Sequence, residues 1–309
     1  MKGLAFSGRV GVAAPSSAPR DKDAVDRGAA LLRARGLDLH FVRQQFPESG
    51  YLAGPDKDRA DELNALLRDP TIRMILCARG GYGSLRLLDR IDYDAARRNS
   101  PVVVGYSDIT AIQLALFAKS AIPSVSGPMV AVEWGSKDGI DELTDESFWR
   151  LLSDQPFGEV ASTPYAPLRG VRNGVAEGTL LGGNLSVLTR LIGTPYLPDF
   201  TGAVLFLEDV GESPYRIDGM LAQLRHSGIL NAVAGVLLGE FTESDDERDK
   251  PTLTREEVLG DYFGDLSCPV VASLPYGHVE RKASIPIGIR ARVEVEGESA
   301  AVTITEALL

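Results

Sequence analysis

The sequence predicts an α/β protein, with a mostly parallel sheet covered by helices in its N-terminal part and a smaller, β-rich, barrel-like domain after it. Up to about residue 150, short apolar runs alternate with helical segments that carry apolar residues on one face. This alternation is typical of a parallel sheet with helices on both sides. Further on, short apolar runs are separated by glycines, and the chain ends in an alternating stretch that favours half-exposed antiparallel strands.

Each N-terminal element follows from its pattern. In the second helical segment, for example, Ala60, Leu63 and Leu67 fall on one stripe. The predicted strands are Val10–Ala14, Leu37–Val42, Ile72–Ala78 and Val102–Val104, and the predicted helices are Asp21–Arg35, Asp56–Arg68 and Asp108–Lys119.

The region 153–173 contains three prolines and shows neither helical nor strand period, so we predict a linker there. This divides the chain into an N-terminal α/β domain (1–152) and a C-terminal β-rich domain (174–309). In the second domain we predict strands at Ala203–Leu207, Ala232–Leu238 and Val270–Leu274, a helix at Ile217–His226, and an antiparallel strand pair within Arg290–Thr305.

Composition excludes several classes of protein. The 309 residues are 44% hydrophobic and 24% charged, which is typical of a globular chain. A formal charge of -11 makes nucleic acid and anionic membranes unfavourable partners. No apolar run approaches the roughly 18 residues needed to cross a bilayer. Because Ser7-Gly8-Arg9 interrupts the N-terminal apolar run and the two cysteines lie in apolar runs, we expect a cytoplasmic protein.

A serine lies where the fourth predicted strand turns into a helix, in Val102-Val-Val-Gly-Tyr-Ser107-Asp108. Ligands of open α/β sheets lie beyond the carboxyl ends of the strands. The turn is similar to a nucleophile elbow, although Ile109 replaces the second glycine of that motif. Alternatively, Ser107 or Asp108 only caps the helix.

A carboxylate and a histidine complete the set of candidate catalytic groups. Glu208 and Asp209 follow the apolar run Leu205-Phe-Leu, where a carboxylate can orient a histidine or pair with Arg216. His278 follows Pro275-Tyr-Gly, on a loop from which a base can reach a serine in another segment. The other two histidines have simpler interpretations, since His40 lies on the polar side of a strand and His226 closes a helix.

Metal and nucleotide sites are not predicted. No His-Glu-x-x-His or paired Cys-x-x-Cys occurs. The glycine-rich segment Arg79–Ser84 has neither the P-loop pattern nor the dinucleotide spacing. Because glycine lets the backbone approach a substrate closely, the amides of Gly80 and Gly81 are better suited to bind an oxyanion than a nucleotide. Alternatively, the segment is an ordinary glycine-rich turn.

Taken together and in this order, the motifs identify a family. They are Val12-Ala-Ala-Pro-Ser16, Ala78-Arg-Gly-Gly-Tyr-Gly83, Gly105-Tyr-Ser-Asp108, Gly182-Gly-Asn184, Leu207-Glu-Asp-Val-Gly-Glu212 with Tyr215 and Asp218, and Pro275-Tyr-Gly-His278. This set resembles the LD-carboxypeptidases, serine peptidases of the muramoyl-tetrapeptide carboxypeptidase and microcin-immunity group. The resemblance implies a Ser-Glu-His triad of Ser107, Glu208 and His278 divided between two domains, no cofactor, and a homodimer.

The resemblance also implies a substrate: the bond between the L-centre of a diamino acid and a terminal D-alanine in a murein tetrapeptide, cleaved during cytoplasmic recycling of the cell wall. The backbone amides of Asp108, Gly80 and Gly81 are the candidate oxyanion donors. Asn184 is a candidate substrate contact. The terminal carboxylate requires a cation or exposed amides. Arg79 is a candidate contact, and Arg216, Arg281 and Lys282 also lie near the motifs, so the sequence leaves the choice among these cations open.

Three alternative functions remain open from the sequence. A microcin-immunity-type hydrolase would cleave a peptide-nucleotide conjugate and would use an aromatic platform for the base, for which Trp134 and Trp149 are the only tryptophans. A peptide-binding protein without catalysis is the second. A generic α/β-hydrolase esterase has the same chain order of Ser, Glu and His, but the incomplete elbow motif and the β-rich second half fit it poorly.

Overall fold

The computed structural model describes residues 7–43, 46–153, 158–160, 167–244 and 251–308. The strands in this part of the chain, in order, are β1 (Arg9–Ala13), β2 (Asp38–Phe41), β3 (Ile72–Cys77), β4 (Val102–Gly105), β5 (Ser124–Ser126), β6 (Gly158–Glu159), β7 (Arg169–Arg172), β8 (Gly174–Asn184), β9 (Val204–Val210), β10 (Gly235–Thr242), β11 (Val270–Ala272), β12 (Ile285–Ile287), β13 (Arg290–Glu296) and β14 (Ser299–Ile304). The α-helices are α1 (Ala24–Ala34), α2 (Asp56–Arg68), α3 (Tyr93–Asn99), α4 (Thr110–Ser120), α5 (Glu142–Leu151), α6 (Leu185–Thr189), α7 (Pro214–His226), α8 (Ile229–Ala232) and α9 (Arg255–Phe263).

The first sheet has the order β12-β5-β4-β3-β1-β2. Strands β1 to β5 pair in parallel, and β4 is buried throughout because it lies in the middle of the sheet. The carboxyl ends of β1, β3 and β4 meet at one edge. The loops that leave these three ends carry Ser16, the Gly80-Gly81 pair and Ser107.

The second sheet closes on itself. Strands β13, β8, β9, β10, β11, β7 and β14 follow one another, and β14 pairs back with β13, so these seven strands form a barrel, with β6 attached to β14. Strands β8 to β11 run parallel, whereas the remaining pairs are antiparallel. The predicted fold class, a parallel sheet with helices plus a smaller barrel-like domain, is confirmed.

Four strands, β6, β7, β8 and β12, differ from the sequence expectations. The described part of the predicted linker contains β7, which is one of the seven barrel strands, and β6, which pairs with β14. Both are too short to show a strand period. Residues 154–157 and 161–166 of the predicted linker lie outside the described residues. Strand β8 was not expected, because glycines interrupt its apolar pattern. Strand β12 lies in the second predicted domain by sequence but pairs antiparallel with β5 of the first sheet.

Two further observations concern the core and the membrane. Cys77 and Cys268 are free, buried thiols. Among the described residues, no helix combines the length and apolar character that a bilayer crossing requires.

Candidate active site

Ser107 lies on a sharp turn between the end of β4 and a 3-10 helix at 107–109 that leads into α4. Its φ is 64°, a left-handed conformation that costs a non-glycine residue about 1 kcal/mol or more. Gly105 precedes the turn because a Cβ there would lie 3.0 Å from Ile109 Cγ1 and 3.1 Å from Cys77 Cβ. A strained strand-to-helix turn of this kind is the geometry of a nucleophile elbow.

The carboxylate of Asp108 joins the loops around this turn instead of capping α4. Its Oδ2 accepts hydrogen bonds from Ser16 Oγ at 2.7 Å and from the Ser84 amide at 2.8 Å. Ser16 Oγ also lies 2.7 Å from Ser84 Oγ. All three side chains are buried. The loops that follow β1, β3 and β4 are therefore fastened to one another at a single carboxylate.

The glycine-rich loop lies against the serine. A Cβ on Gly80 would be 3.0 Å from Ser107 Cβ and 3.3 Å from Ser107 Oγ, so a larger residue there would push the loop and the serine apart by a few tenths of an ångström. Gly81 has a φ of 107°, and a Cβ there would be 2.4 Å from Ser17 Oγ. Ser17 also accepts a hydrogen bond from the Tyr82 amide at 3.1 Å. The loop is thus held beside the hydroxyl by close packing and by hydrogen bonds.

A buried arginine supports these loops from α2. The side chain of Arg59 is fully buried, and burial lowers its pKa. Its guanidinium donates to the carbonyls of Pro15 and Gly83 and to the Asp56 carboxylate. Sequence reasoning missed Arg59, because nothing local distinguishes it from the other charged residues of an exposed helix face.

Glu208 and His278 are in direct contact. Glu208 Oε2 lies 2.7 Å from His278 Nδ1, and the Glu208 side chain is fully buried, whereas that of His278 is 21% exposed. Gly277 has a φ of 132° and a Cβ there would be 3.1 Å from Glu208 Oε2, so glycine lets the histidine loop come close. Arg216, the alternative partner of Glu208, instead contacts Glu212 at 3.4 Å.

Asn184 lies behind this pair and is 3% exposed. Its Nδ2 donates to Glu208 Oε1 and to Asp209 Oδ1, each at 3.1 Å, and its Oδ1 accepts from the Val187 amide at the start of α6. Burial, followed by the charge of Glu208, raises the pKa of Asp209 to about 6. Asn184 therefore holds two neighbouring carboxylates; its predicted contact with substrate stays a prediction.

The serine and histidine segments also meet each other. The ring of Tyr106, next to Ser107, lies edge-to-face against the His278 ring with centroids 5.1 Å apart. The Asn184 amide donates to Thr110 Oγ1 at 3.1 Å, which joins the end of β8 to the first residue of α4. The structure thus assembles the three predicted triad residues in one region from two different sheets.

Most of the candidate cations are already paired with carboxylates. Arg281 contacts Asp141 at 3.1 Å and Lys282 contacts Glu133 at 2.5 Å. Arg79 differs: it is half-buried, donates to the Ala18 carbonyl at 2.6 Å, and has no carboxylate partner among the described residues. Burial lowers its pKa.

The remaining sequence candidates lie elsewhere. His40 contacts Arg9 at 2.9 Å, and His226 is exposed at the end of α7. Trp134 is buried and packs edge-to-face on Phe148 with ring centroids 4.8 Å apart. Within the described ranges, no cluster of three or more His, Cys, Asp or Glu side chains has the arrangement of a metal site.

Comparison with known proteins gives consistent matches along the chain. A sequence profile of the LD-carboxypeptidase N-terminal domain matches residues 10–127, and one of the LD-carboxypeptidase C-terminal domain matches residues 177–293. A putative carboxypeptidase of Synechocystis is 41% identical, with 94% of this chain and 92% of the relative covered. A probable murein peptide carboxypeptidase of Bacillus subtilis is 34% identical, with 97% and 93% covered.

Solved structures agree with these matches. The muramoyltetrapeptide carboxypeptidase of Oxalobacter formigenes superposes with a TM-score of 0.85 at 29% identity, covering 97% of this chain and 99% of the other. A more distant relative is the microcin C7 self-immunity protein of Escherichia coli, 26% identical over 93% of this chain and 91% of its own length. The protein is a peptidase and belongs to the LD-carboxypeptidase family.

Proposed function

We propose that the protein is a serine LD-carboxypeptidase that removes the terminal D-alanine from murein tetrapeptides. In this proposal Ser107 is the nucleophile, His278 the general base and Glu208 the carboxylate that orients it. The observation that carries the proposal is the 2.7 Å contact between His278 Nδ1 and the fully buried Glu208, on a loop packed against the residue next to Ser107. Relatives named as murein peptide and muramoyltetrapeptide carboxypeptidases support the substrate.

The reaction follows from this arrangement. With Nδ1–H donating to Glu208, Nε2 carries the lone pair that accepts the Ser107 proton. Ser107 Oγ attacks the scissile carbonyl carbon, and the imidazolium then gives its proton to the leaving nitrogen, so that D-alanine departs and an acyl-serine remains. Water, deprotonated by the same imidazole, breaks the ester and restores the hydroxyl. Glu208 stays ionised and stabilises the imidazolium.

The oxyanion formed in each step needs donors that are already in place. Gly80 packs beside the Ser107 hydroxyl and Gly81 follows it in the same loop, and the Asp108 amide belongs to the turn of Ser107. The loop is held by Ser17 and Arg59, so its amides do not have to reorganise during the reaction. We therefore assign the oxyanion hole to these backbone amides.

Recognition of the terminal carboxylate is assigned to Arg79. An exopeptidase must meet the negative charge of the C-terminus of its substrate, and a guanidinium without a carboxylate partner does this most directly. Arg79 directly precedes Gly80, whose Cα faces Ser107. Lys282 and Arg281 already contact carboxylates.

The microcin-type alternative is less well supported by this structure. Its expected aromatic platform is not formed by the tryptophans, because Trp134 is buried against Phe148 and Trp149 donates to Asp145 on the same helix. Cytoplasmic recycling and the homodimer come from the family resemblance and stay predictions.

Mass spectrometry of L-Ala-γ-D-Glu-meso-diaminopimelyl-D-Ala incubated with the protein in chelator tests the proposal. We expect wild type to release one D-alanine, and Ser107→Ala to lose about 10⁴-fold or more of kcat. Release by the Ser107→Ala variant at the wild-type rate contradicts both hydrolase functions. No release by the folded wild type, together with cleavage of a peptidyl-nucleotide, supports the microcin-type substrate instead.

Two control variants test whether a loss of activity is specific to the proposed catalytic serine and histidine. Ser100 is also a serine in the left-handed region, with a φ of 47°. It is exposed and precedes β4, whereas Ser107 follows β4, so Ser100→Ala is expected to retain activity. His226→Ala removes an exposed histidine and serves as the control for His278→Ala, which is expected to be inactive.

A further inference from the structure

A buried cluster lies directly behind the His278 imidazole. It consists of Tyr106, Glu133 and Lys282, which are 5%, 9% and 4% exposed, and we call it the Lys282 bridge. Lys282 Nζ donates to Glu133 Oε1 at 2.5 Å and to the Tyr106 hydroxyl at 3.1 Å. The Tyr106 hydroxyl donates to the same Glu133 oxygen at 2.9 Å, and the ammonium lies 4.2 Å from the Tyr106 ring centroid.

The bridge joins the serine segment to the histidine segment. Tyr106 immediately precedes Ser107, Glu133 lies on the turn after β5, and Lys282 follows His278 by four residues. Tyr106 therefore links the two segments: its hydroxyl is held by Glu133 and Lys282, and its ring contacts the His278 ring.

The surroundings of His278 explain why such a bridge is needed. The imidazole lines a cavity of about 500 Å³, together with Tyr106, Glu133 and Lys282. On that side the ring faces the open volume of the cavity, so its orientation depends on the contacts of its other side. Two contacts hold the ring from the protein side: Glu208 at Nδ1 and the Tyr106 ring.

A buried ion pair by itself does little for stability, because the desolvation of both charges offsets their attraction, and apolar replacements are often equally stable. What such a pair provides is a defined geometry, since each partner accepts only a narrow range of positions for the other. Glu133 is further fixed by the Met129 amide, which donates to Oε2 at 2.8 Å.

We propose that Tyr106, Glu133 and Lys282 are positioning residues that hold the His278 imidazole in line with Ser107. This rests on the proposed role of His278 as general base. None of the three needs to touch the reacting atoms. Their effect is on kcat, because a displacement of about 1 Å in a catalytic group can lower the rate about 10²-fold.

The decisive variant is the double substitution Lys282→Met with Glu133→Gln, which removes both buried charges together and so leaves neither unpaired. For the double variant we expect kcat to fall about 10²-fold, with KM within about threefold of wild type. The single substitution Lys282→Arg keeps the charge, and we expect it to retain most of the wild-type kcat. Lys137→Met, which removes an exposed ion pair with Asp21, is the matched control. A folded double variant with wild-type kcat overturns the proposal.

Histidine NMR gives a readout that a purely structural role would not change. The chain contains three histidines, so ¹⁵N-histidine labelling yields few signals, and His278→Ala assigns the Nδ1–H proton bonded to Glu208. We expect this signal to shift or broaden in the double variant and to stay in place in Lys137→Met. An unchanged signal in the double variant overturns the proposal.

This measurement needs no substrate, so it separates the two proposals. If wild type cleaves no tetrapeptide, the proposed function fails while the NMR comparison still decides whether the bridge positions His278. If the double variant does not fold, Tyr106→Phe takes its place in the test. This substitution removes only the hydroxyl that joins the Tyr106 ring to Glu133 and Lys282. We expect that variant to lose about tenfold in kcat with an unchanged melting temperature, and an unchanged kcat there overturns the proposal.

Discussion

The serine side and the histidine side of the site are held in place in different ways. Ser107 is fixed by its own backbone turn and by loops of the first sheet that meet at the buried Asp108 carboxylate. His278 comes from a loop between the barrel and β12, borders a cavity, and depends on Glu208 from β9 and on the Tyr106 ring. The proposed nucleophile is thus positioned by local geometry, and the proposed base by contacts that cross from one sheet to the other. Substitutions on the two sides should therefore differ in character.

The largest effect is expected on the histidine side, from Glu208→Gln. The Asn184 amide group donates to one oxygen of Glu208, so a glutamine there places its carbonyl towards Asn184 and its NH₂ towards His278. This favours the wrong imidazole tautomer, and we expect kcat to fall about 10³- to 10⁴-fold, as in triads whose carboxylate becomes an amide. Steady-state kinetics on the tetrapeptide measures this.

The control for that substitution is Glu177→Gln, which neutralises an exposed carboxylate of the barrel paired with Arg292 at 2.9 Å and should leave kcat unchanged. If Glu208→Gln keeps more than a tenth of the wild-type kcat, Glu208 does not orient the base.

On the serine side, Gly80→Ala should have an intermediate effect. The added methyl group would lie 3.0 Å from Ser107 Cβ and 3.2 Å from the Tyr106 carbonyl oxygen, so the loop must move away and its amides with it. Loss of one oxyanion donor lowers kcat about 10²- to 10³-fold. Gly219→Ala on α7 meets nothing within 4 Å and is the matched control. Equal kinetics of the two variants would argue against the assigned oxyanion loop.

The smallest effect concerns stability and its pH dependence, at the carboxylate beside Glu208. The Asp209 pKa rises from 3.8 to about 6 on folding, so the folded state binds the proton more tightly than the unfolded state. The free energy of unfolding contributed by this group is therefore highest below pH 3.8 and decreases as the pH rises to about 6. The full change is about 3 kcal/mol.

Urea unfolding between pH 4 and pH 8 measures this contribution. The asparagine of Asp209→Asn cannot titrate, so the variant lacks the decrease in the free energy of unfolding that wild type shows as the pH rises. The difference in stability between variant and wild type should therefore shift in favour of the variant with increasing pH, on top of any pH-independent loss caused by the amide. Asp199→Asn is the control: hydrogen bonds from Thr201 lower the pKa of Asp199 from its ordinary 3.8, so this carboxyl is ionised in both states over most of the interval and the profile of the variant should stay nearly parallel to that of wild type. Parallel profiles for Asp209→Asn and wild type would contradict the raised pKa.

The sequence predicts best what depends on local pattern. Helix α2 begins and ends at the predicted residues, since its apolar stripe is continuous. Strand β8 was missed because Gly182 and Gly183 break the pattern, and these glycines are needed for contacts distant in sequence: a Cβ on Gly182 would lie 1.9 Å from the Phe206 carbonyl oxygen.

The same distinction applies to the site. Ser107, Glu208 and His278 could be proposed from the sequence because each follows an apolar run in a motif typical of the family, and their catalytic roles stay a prediction. Glu133 was missed, and Lys282 was considered only as a cation for the substrate carboxylate, because neither is in such a motif and only the folded chain brings them together. The one local signal was the position of Tyr106 directly before the nucleophile.

Strand β12 limits how the two halves of this protein can be exchanged between relatives during evolution. The chain leaves the barrel after β11, adds β12 to the edge of the first sheet beside β5, and returns to the barrel in β13. A gene fragment ending near residue 152 would leave the edge of β5 unpaired, an open edge prone to pairing with other chains. The half that carries the serine is therefore not a portable module, and exchange of halves between relatives must keep the β5–β12 pair matched.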